Sequence, residues 1–104
     1  MQNQFVRAAS VGELAPGDMK LVEMGGKMAA LANVDGHYFA FSDTCTHLEC
    51  SLAEGTIEGE AVECPCHGSQ FNVKTGAVVE GPAHTPIAVY AVRVQGNDIL
   101  VGPA

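Results

Sequence analysis

Cys45-Thr46-His47 and Cys64-Pro65-Cys66-His67 are the residues of this chain best suited to chemistry. They give Cys-x-His, sixteen intervening residues, then Cys-x-x-His. Side chains two or three residues apart in a tight loop can converge on one centre. Two such loops facing each other offer two thiolates and two imidazoles. A zinc ion would accept that set tetrahedrally. So would a 2Fe–2S cluster with two cysteines on one iron and two histidines on the other. An even cysteine count in a short chain can also signal a disulfide framework, a reading that wants an export signal. Here Cys45, Cys50, Cys64 and Cys66 all fall within twenty-two residues, whereas a stapled scaffold spreads its bridges more widely. The clustering points to a site.

The elements that must position these loops read as strands almost throughout. Residues 19–24 and 27–34 form two strands joined by Gly25-Gly26, a two-residue hairpin signal. Asp35-Gly36 gives a second such turn before the aromatic strand His37-Tyr38-Phe39-Ala40-Phe41. Ser10-Val11-Gly12-Glu13 has capping-box spacing and predicts one short helical turn over 10–14, and Pro16-Gly17 marks a turn after it. From Thr44 to about Pro86 the chain is rich in Cys, His, Gly and Pro, with short strands at most near 60–64 and 70–73. Alternation returns at Ile87, placing Tyr90, Val92 and Val94 on one face and Ile87, Val89 and Ala91 on the other. Gly96-Asn97-Asp98 turns the chain into a last strand, Ile99-Leu100-Val101. The fold class expected is all-β, an antiparallel sandwich or small barrel whose middle carries a small ligand-bearing subdomain of two loops at about 43–86. Residues 1–104 read as a single domain, without internal repeat or linker.

Composition narrows the function. A hydrophobic fraction of 47% against 16% charged residues excludes the disordered class. Five basic against twelve acidic residues leave a net charge of −7, which argues against nucleic acid or an anionic membrane as partner. No apolar run approaches the roughly 18–20 residues of a membrane span. Met1-Gln2-Asn3-Gln4 lacks the layout of a signal peptide, so a cytoplasmic location is expected.

On these residues the chain resembles the Rieske family. The match covers Cys45-Thr46-His47, then Cys64 to His67 with Gly68 and Ser69 after it, and Gly81-Pro82-Ala83, which looks like the family's proline-containing loop over the cluster. The resemblance implies one Rieske-type 2Fe–2S cluster, with Cys45 and Cys64 on the inner iron and His47 and His67 on the outer iron. With two thiolates and two neutral imidazoles, such an oxidised cluster is formally uncharged, whereas four thiolates would add two negative charges. The potential rises accordingly, to about −150 to +300 mV against roughly −400 mV for plant-type ferredoxins.

Cys50 and Cys66 match the extra cysteine pair of the Rieske proteins of cytochrome bc complexes, with Glu49 where that pattern has glycine. The resemblance implies a Cys50–Cys66 disulfide tying the loops together. In the high-potential respiratory type, a serine at the place of Ser69 donates to a bridging sulfide, and a tyrosine at the place of Phe71 donates to a ligand sulfur. This chain keeps the serine and lacks the phenol, so an intermediate potential is expected.

By the same resemblance the chain is a monomeric electron-transfer component, not a catalyst. It would take electrons from a flavin-dependent ferredoxin reductase and pass them to the terminal oxygenase of an aromatic-ring dioxygenase system. A stand-alone bc-type electron carrier of a respiratory or assimilatory chain is the second reading, and a structural zinc module the third. Glu54, Glu58, Glu60 and Glu63 read as a solvated face, His37 as a strand-face residue without a role, and His84 as solvent-exposed. Met19, Met24 and Met28 read as core or hairpin filler.

Overall fold

The computed structural model describes residues 5–24, 26–44, 50–66, 68–81, 83 and 85–103. Among the described residues the strands are β1 (Val6–Ser10), β2 (Met19–Met24), β3 (Lys27–Val34), β4 (His37–Ser42), β5 (Thr56–Glu58), β6 (Ala61–Glu63), β7 (Gln70–Asn72), β8 (Val78–Glu80), β9 (Val89–Gln95) and β10 (Asp98–Gly102). A 3₁₀ turn, Leu52–Glu54, precedes β5. The strands form a six-stranded sheet in the order β1-β10-β9-β4-β3-β2 and a four-stranded sheet in the order β5-β6-β7-β8, antiparallel throughout. No helix among the described residues is long and apolar enough to cross a membrane.

Turn chemistry sets the register of the large sheet. Asp35 (φ 54°) and Gly36 (φ 90°) are both left-handed, as a type I′ hairpin turn demands, and Val34 therefore pairs with His37. Two residues likewise separate Met24 from its partner Lys27, and Gln95 from its partner Asp98.

Strand β3 is the wall between two cores. Its Ala29 and Leu31 join Val22, Met24, Ala40, Ile99, Val101 and the alanines of β1, so all the strands of the large sheet except β9 supply buried residues to one cluster. Tyr90 and Val92 of β9 pack against that cluster. The opposite face of β3, with Ala30, Ala32 and Val34, packs with Phe41, Leu52, Val62, Cys64, Phe71, Val73, Ala83 and Ile87. This second core joins the two sheets and reaches the sulfur-bearing loops. The alternation read at the end of the chain holds: Ile87 and Val89 serve the second core, Tyr90 and Val92 the first. Val94, further along β9, is exposed.

Residues 10–14 form no helix. Ser10 ends β1, Gly12 has φ 96°, and the Ser-x-x-Glu spacing closes a turn instead. Glu13 N–H donates to the Ser10 carbonyl at 3.0 Å, and Ser10 N–H donates to Glu13 Oε1 at 3.0 Å. The Lys20 ammonium, 2.7 Å from Glu13 Oε2, and then the Ser10 N–H hold the Glu13 carboxyl below the ordinary carboxylate value. The segment expected to be mostly irregular holds the whole four-stranded sheet. Its strands of three residues are too short for alternation to register. Met24 is buried and Met19 packs against the second core, while Met28 is exposed. His37 is also exposed.

Candidate metal centre

Strand β6 delivers Cys64 to the end of the small sheet, and β7 leaves from Ser69. Between them the chain must reverse tightly. Cys64 N–H donates to the Ser69 carbonyl at 2.8 Å, and Gly68 N–H donates back to the Cys64 carbonyl at 3.2 Å. Gly68 has φ 80°, which a side chain would disfavour. The result is a short loop with Cys64 buried at its root and Cys66 exposed beyond it.

The other loop is pinned at its base. Thr44 and Ser51 form an isolated antiparallel bridge, so the chain leaves and returns at one place. Asp43, only 7% exposed, is the organiser. Its carboxylate Oδ1 accepts from Ser51 Oγ at 2.9 Å and from Ala53 N–H at 2.8 Å, and its carbonyl accepts from Leu52 N–H at 2.7 Å. These bonds satisfy a buried charge and start the 3₁₀ turn with the same atoms.

A disulfide joins the two loops. Cys50 and Cys66 are bonded, with Cα atoms 6.5 Å apart, as the resemblance implies. Cys64 lies beside the bridge, and the Sγ atoms of Cys50, Cys64 and Cys66 all fall within 4.8 Å of one another. Ser69 is fully buried, and its Oγ accepts from Ala83 N–H at 3.0 Å. That bond ties the 64–69 loop to the segment around Gly81 and leaves the Ser69 hydroxyl hydrogen directed away from Ala83. Phe71, also fully buried, sits in β7 opposite Val62 and Val78 and shares the second core with Cys64.

Of the expected site residues, Cys64, the Cys50–Cys66 pair and Ser69 come together at one end of the small sheet, with Phe71 in the core behind them. Cys45, His47, His67 and Pro82, and with them His84, lie outside the described residues. Asp43 was not singled out from the sequence, since its partners stand eight and ten positions on and no local pattern links them. Of the acidic run, Glu54, Glu58 and Glu60 are exposed and Glu63 is half-buried, with Glu60 paired to Lys74 at 2.9 Å.

The described part of the site fits a 2Fe–2S cluster. It offers a buried thiol at a hairpin root, a buried hydroxyl close by along the same loop, and a second cysteine-bearing loop bridged to the first. Two antiparallel sheets holding disulfide-tied cysteine loops define an all-β protein with a loop-borne centre. Residues 4–91 match the family model of the Rieske [2Fe-2S] domain, and the chain belongs to that family. Membership implies one Rieske-type 2Fe–2S cluster, not zinc. The chain is 44% identical over 98 residues to the biphenyl dioxygenase ferredoxin subunit of Pseudomonas sp. (strain KKS102), covering 93% of this chain and 90% of that one. The ferredoxin of carbazole 1,9a-dioxygenase from Nocardioides aromaticivorans IC177 superposes with a TM-score of 0.92 at 33% identity, covering 97% of this chain and 99% of the other. A complex of reduced oxygenase and oxidized ferredoxin in carbazole 1,9a-dioxygenase contains a similar chain, with a TM-score of 0.88 and 35% identity over 92% of this chain and 99% of that one.

Proposed function

We propose that this chain is a one-electron carrier, the ferredoxin component of a multicomponent aromatic-ring dioxygenase system. It receives electrons from a flavin-dependent reductase and delivers them to a terminal oxygenase. The observation that carries this reading is 44% identity, over nine-tenths of both chains, to a ferredoxin subunit of biphenyl dioxygenase. Cys45 and Cys64 hold the inner iron and His47 and His67 the outer, with Ser69, Phe71 and Pro82 around them. The cluster supplies reversible one-electron storage. The whole chain acts as one domain, a cytoplasmic monomer, which suits a shuttle.

The test mixes the iron-loaded chain with the flavoprotein reductase and terminal oxygenase of a biphenyl dioxygenase system. Reduction by the first and reoxidation by the second are expected. Reduction without reoxidation by any aromatic-ring oxygenase would overturn the assignment. The Cys50–Cys66 disulfide and Ser69 favour a second reading, a bc-type carrier of a respiratory or assimilatory chain. A midpoint near the top of the range of about −150 to +300 mV would support that one.

Two further outcomes follow from the ligand reading. Phe71→Tyr adds a donor beside the thiolate-bearing side of the site and raises the midpoint, by on the order of 40 mV if the new hydrogen bond strengthens by about 1 kcal/mol on reduction. Protein-film voltammetry measures it, and an unchanged midpoint removes Phe71 from the account of the potential. Secondly, imidazoles bound to an oxidised cluster release protons more readily than those on a reduced one, so the midpoint falls as pH rises into the alkaline range. A midpoint flat up to strongly alkaline pH would speak against histidine ligation.

A further inference from the structure

At Gly55 the segment leading away from Cys50 meets the segment leading into Cys64, backbone against backbone. Gly55 closes the 3₁₀ turn, where its N–H donates to the Leu52 carbonyl at 2.9 Å. A Cβ at this position would stand 1.9 Å from the Glu63 carbonyl oxygen, 3.1 Å from the Glu63 carbonyl carbon and 3.3 Å from the Leu52 oxygen. Nonbonded heavy atoms pack at roughly 3.5–4.0 Å, so no side chain fits, and the obstacle is main chain that cannot rotate away. We propose that Gly55 is a positioning residue of the metal centre, its missing side chain setting the spacing between the loop that ends at Cys50 and the loop that begins at Cys64.

Neither side of the contact can yield locally. Glu63 pairs with Thr56 on one flank and Gln70 on the other, and the next residue, Cys64, donates its N–H to the Ser69 carbonyl at 2.8 Å. On the opposite side, Leu52 is fully buried in the second core. Its N–H, the Ala53 N–H and the Ser51 hydroxyl are all bound to Asp43. Relief of a clash at Gly55 therefore passes to the spacing of the two loops.

The bridge between those loops has little slack. Its Cα atoms are already 6.5 Å apart, near the top of the roughly 4.4–6.8 Å that disulfides span. Loops pushed further apart hold their two sulfurs at bonding distance less often, and the bridge becomes easier to reduce. The same spacing governs the centre, and this step rests on the ligand reading, in which the first loop carries Cys45 and the second Cys64 to one iron. Thiolates set further apart bind that iron in an altered ligand field, which changes its magnetic signature.

The test compares Gly55→Ala with Gly76→Ala in the full chain. Gly76 follows β7 at the end remote from Ser69, and a Cβ there would meet the Ile87 carbonyl oxygen at 2.0 Å, so this control carries a like clash away from the two loops. The cluster-free variants are equilibrated with glutathione buffers, and mass-mapped thiol labelling reads the Cys50–Cys66 bridge. Gly55→Ala is expected to shift that equilibrium about tenfold toward the thiols, about 30 mV for a two-electron couple. Gly76→Ala loses stability in urea and keeps the bridge at the parent value. With the cluster loaded, the paramagnetic g values of the reduced centre shift in Gly55→Ala alone. A bridge and g values that move no more in Gly55→Ala than in Gly76→Ala would overturn the proposal and leave Gly55 a packing glycine.

Hydrogen exchange at the Gly55 and Cys64 amides of the parent chain needs no variant to fold. If the Gly55 contact sets the spacing, reducing the bridge lowers their protection by less than about tenfold. A larger loss would show that the bridge sets the spacing and would equally overturn the proposal. Iron and sulfide content of the loaded parent judges the ligand reading separately: a chain that never carries them defeats that reading, and the bridge equilibrium still decides the spacing.

Discussion

Replacing Cys50 and Cys66 together with serine lowers the unfolding free energy of the cluster-free protein by about 3 kcal/mol, the loop-closure value for a ring of this size. The sequence separation is 16, so the bridge removes the freedom of a short loop from the unfolded chain. The native loops lose little, because each is anchored without the bridge. Asp43 fixes the base of one through Ser51 and Ala53, and the Cys64–Ser69 backbone bond fixes the root of the other. Urea denaturation of the double variant and the parent, both without reductant, measures the difference. A change below about 1 kcal/mol would mean that the unfolded chain is already held compact in this segment by other contacts. Single substitutions are poorer tests, for each leaves a new thiol beside Cys64.

How much of this architecture can be read from the chain depends on the range of the interactions. The β2–β3 and β3–β4 hairpins are legible because a two-residue connection settles the register of each. The alternation that leads into β9 is legible from Ile87 to Val92, since both sides of that stretch pack. Ser10 and Glu13 mislead: reciprocal bonds like those of a capping box form, but around a turn with Gly12 in the left-handed region. Strands β5 and β8, three residues each, are strands only because β6 and β7 pair with them. Strand β1 is missed for a related reason. It runs with a register shift between Arg7 and Ala9, and Ala8 and Ala9 are both buried, so its pattern does not alternate. At the site, Cys64, Cys66 and Ser69 stand in one short motif and are visible together. The Ser69–Ala83 bond spans fourteen residues and Asp43 acts eight to ten residues ahead, so neither leaves a local trace.

Ser69→Ala should cost the protein twice, in stability and in potential. Ser69 Oγ accepts from Ala83 N–H at 3.0 Å, and both residues are buried, so the substitution strands that amide. An unsatisfied buried donor costs about 1–3 kcal/mol, which chemical denaturation of the cluster-free chain would detect. The second effect concerns the hydroxyl hydrogen. Because the oxygen accepts from Ala83, the hydrogen turns elsewhere, and the family resemblance aims it at a bridging sulfide. A donor to sulfide stabilises the reduced state, which carries one more negative charge, so its removal lowers the midpoint. If the bond strengthens by about 1.4 kcal/mol on reduction, the fall is about 60 mV for one electron. The two effects are separable because one is read on the empty chain and the other on the loaded one. Lost stability with an unmoved midpoint would make Ser69 a fastener of the 81–83 segment alone. A lowered midpoint with unchanged stability would mean that Ala83 N–H finds another acceptor. Phe71→Tyr supplies its donor from β7 instead, opposite Val62, so the double variant should recover part of the potential and none of the stability.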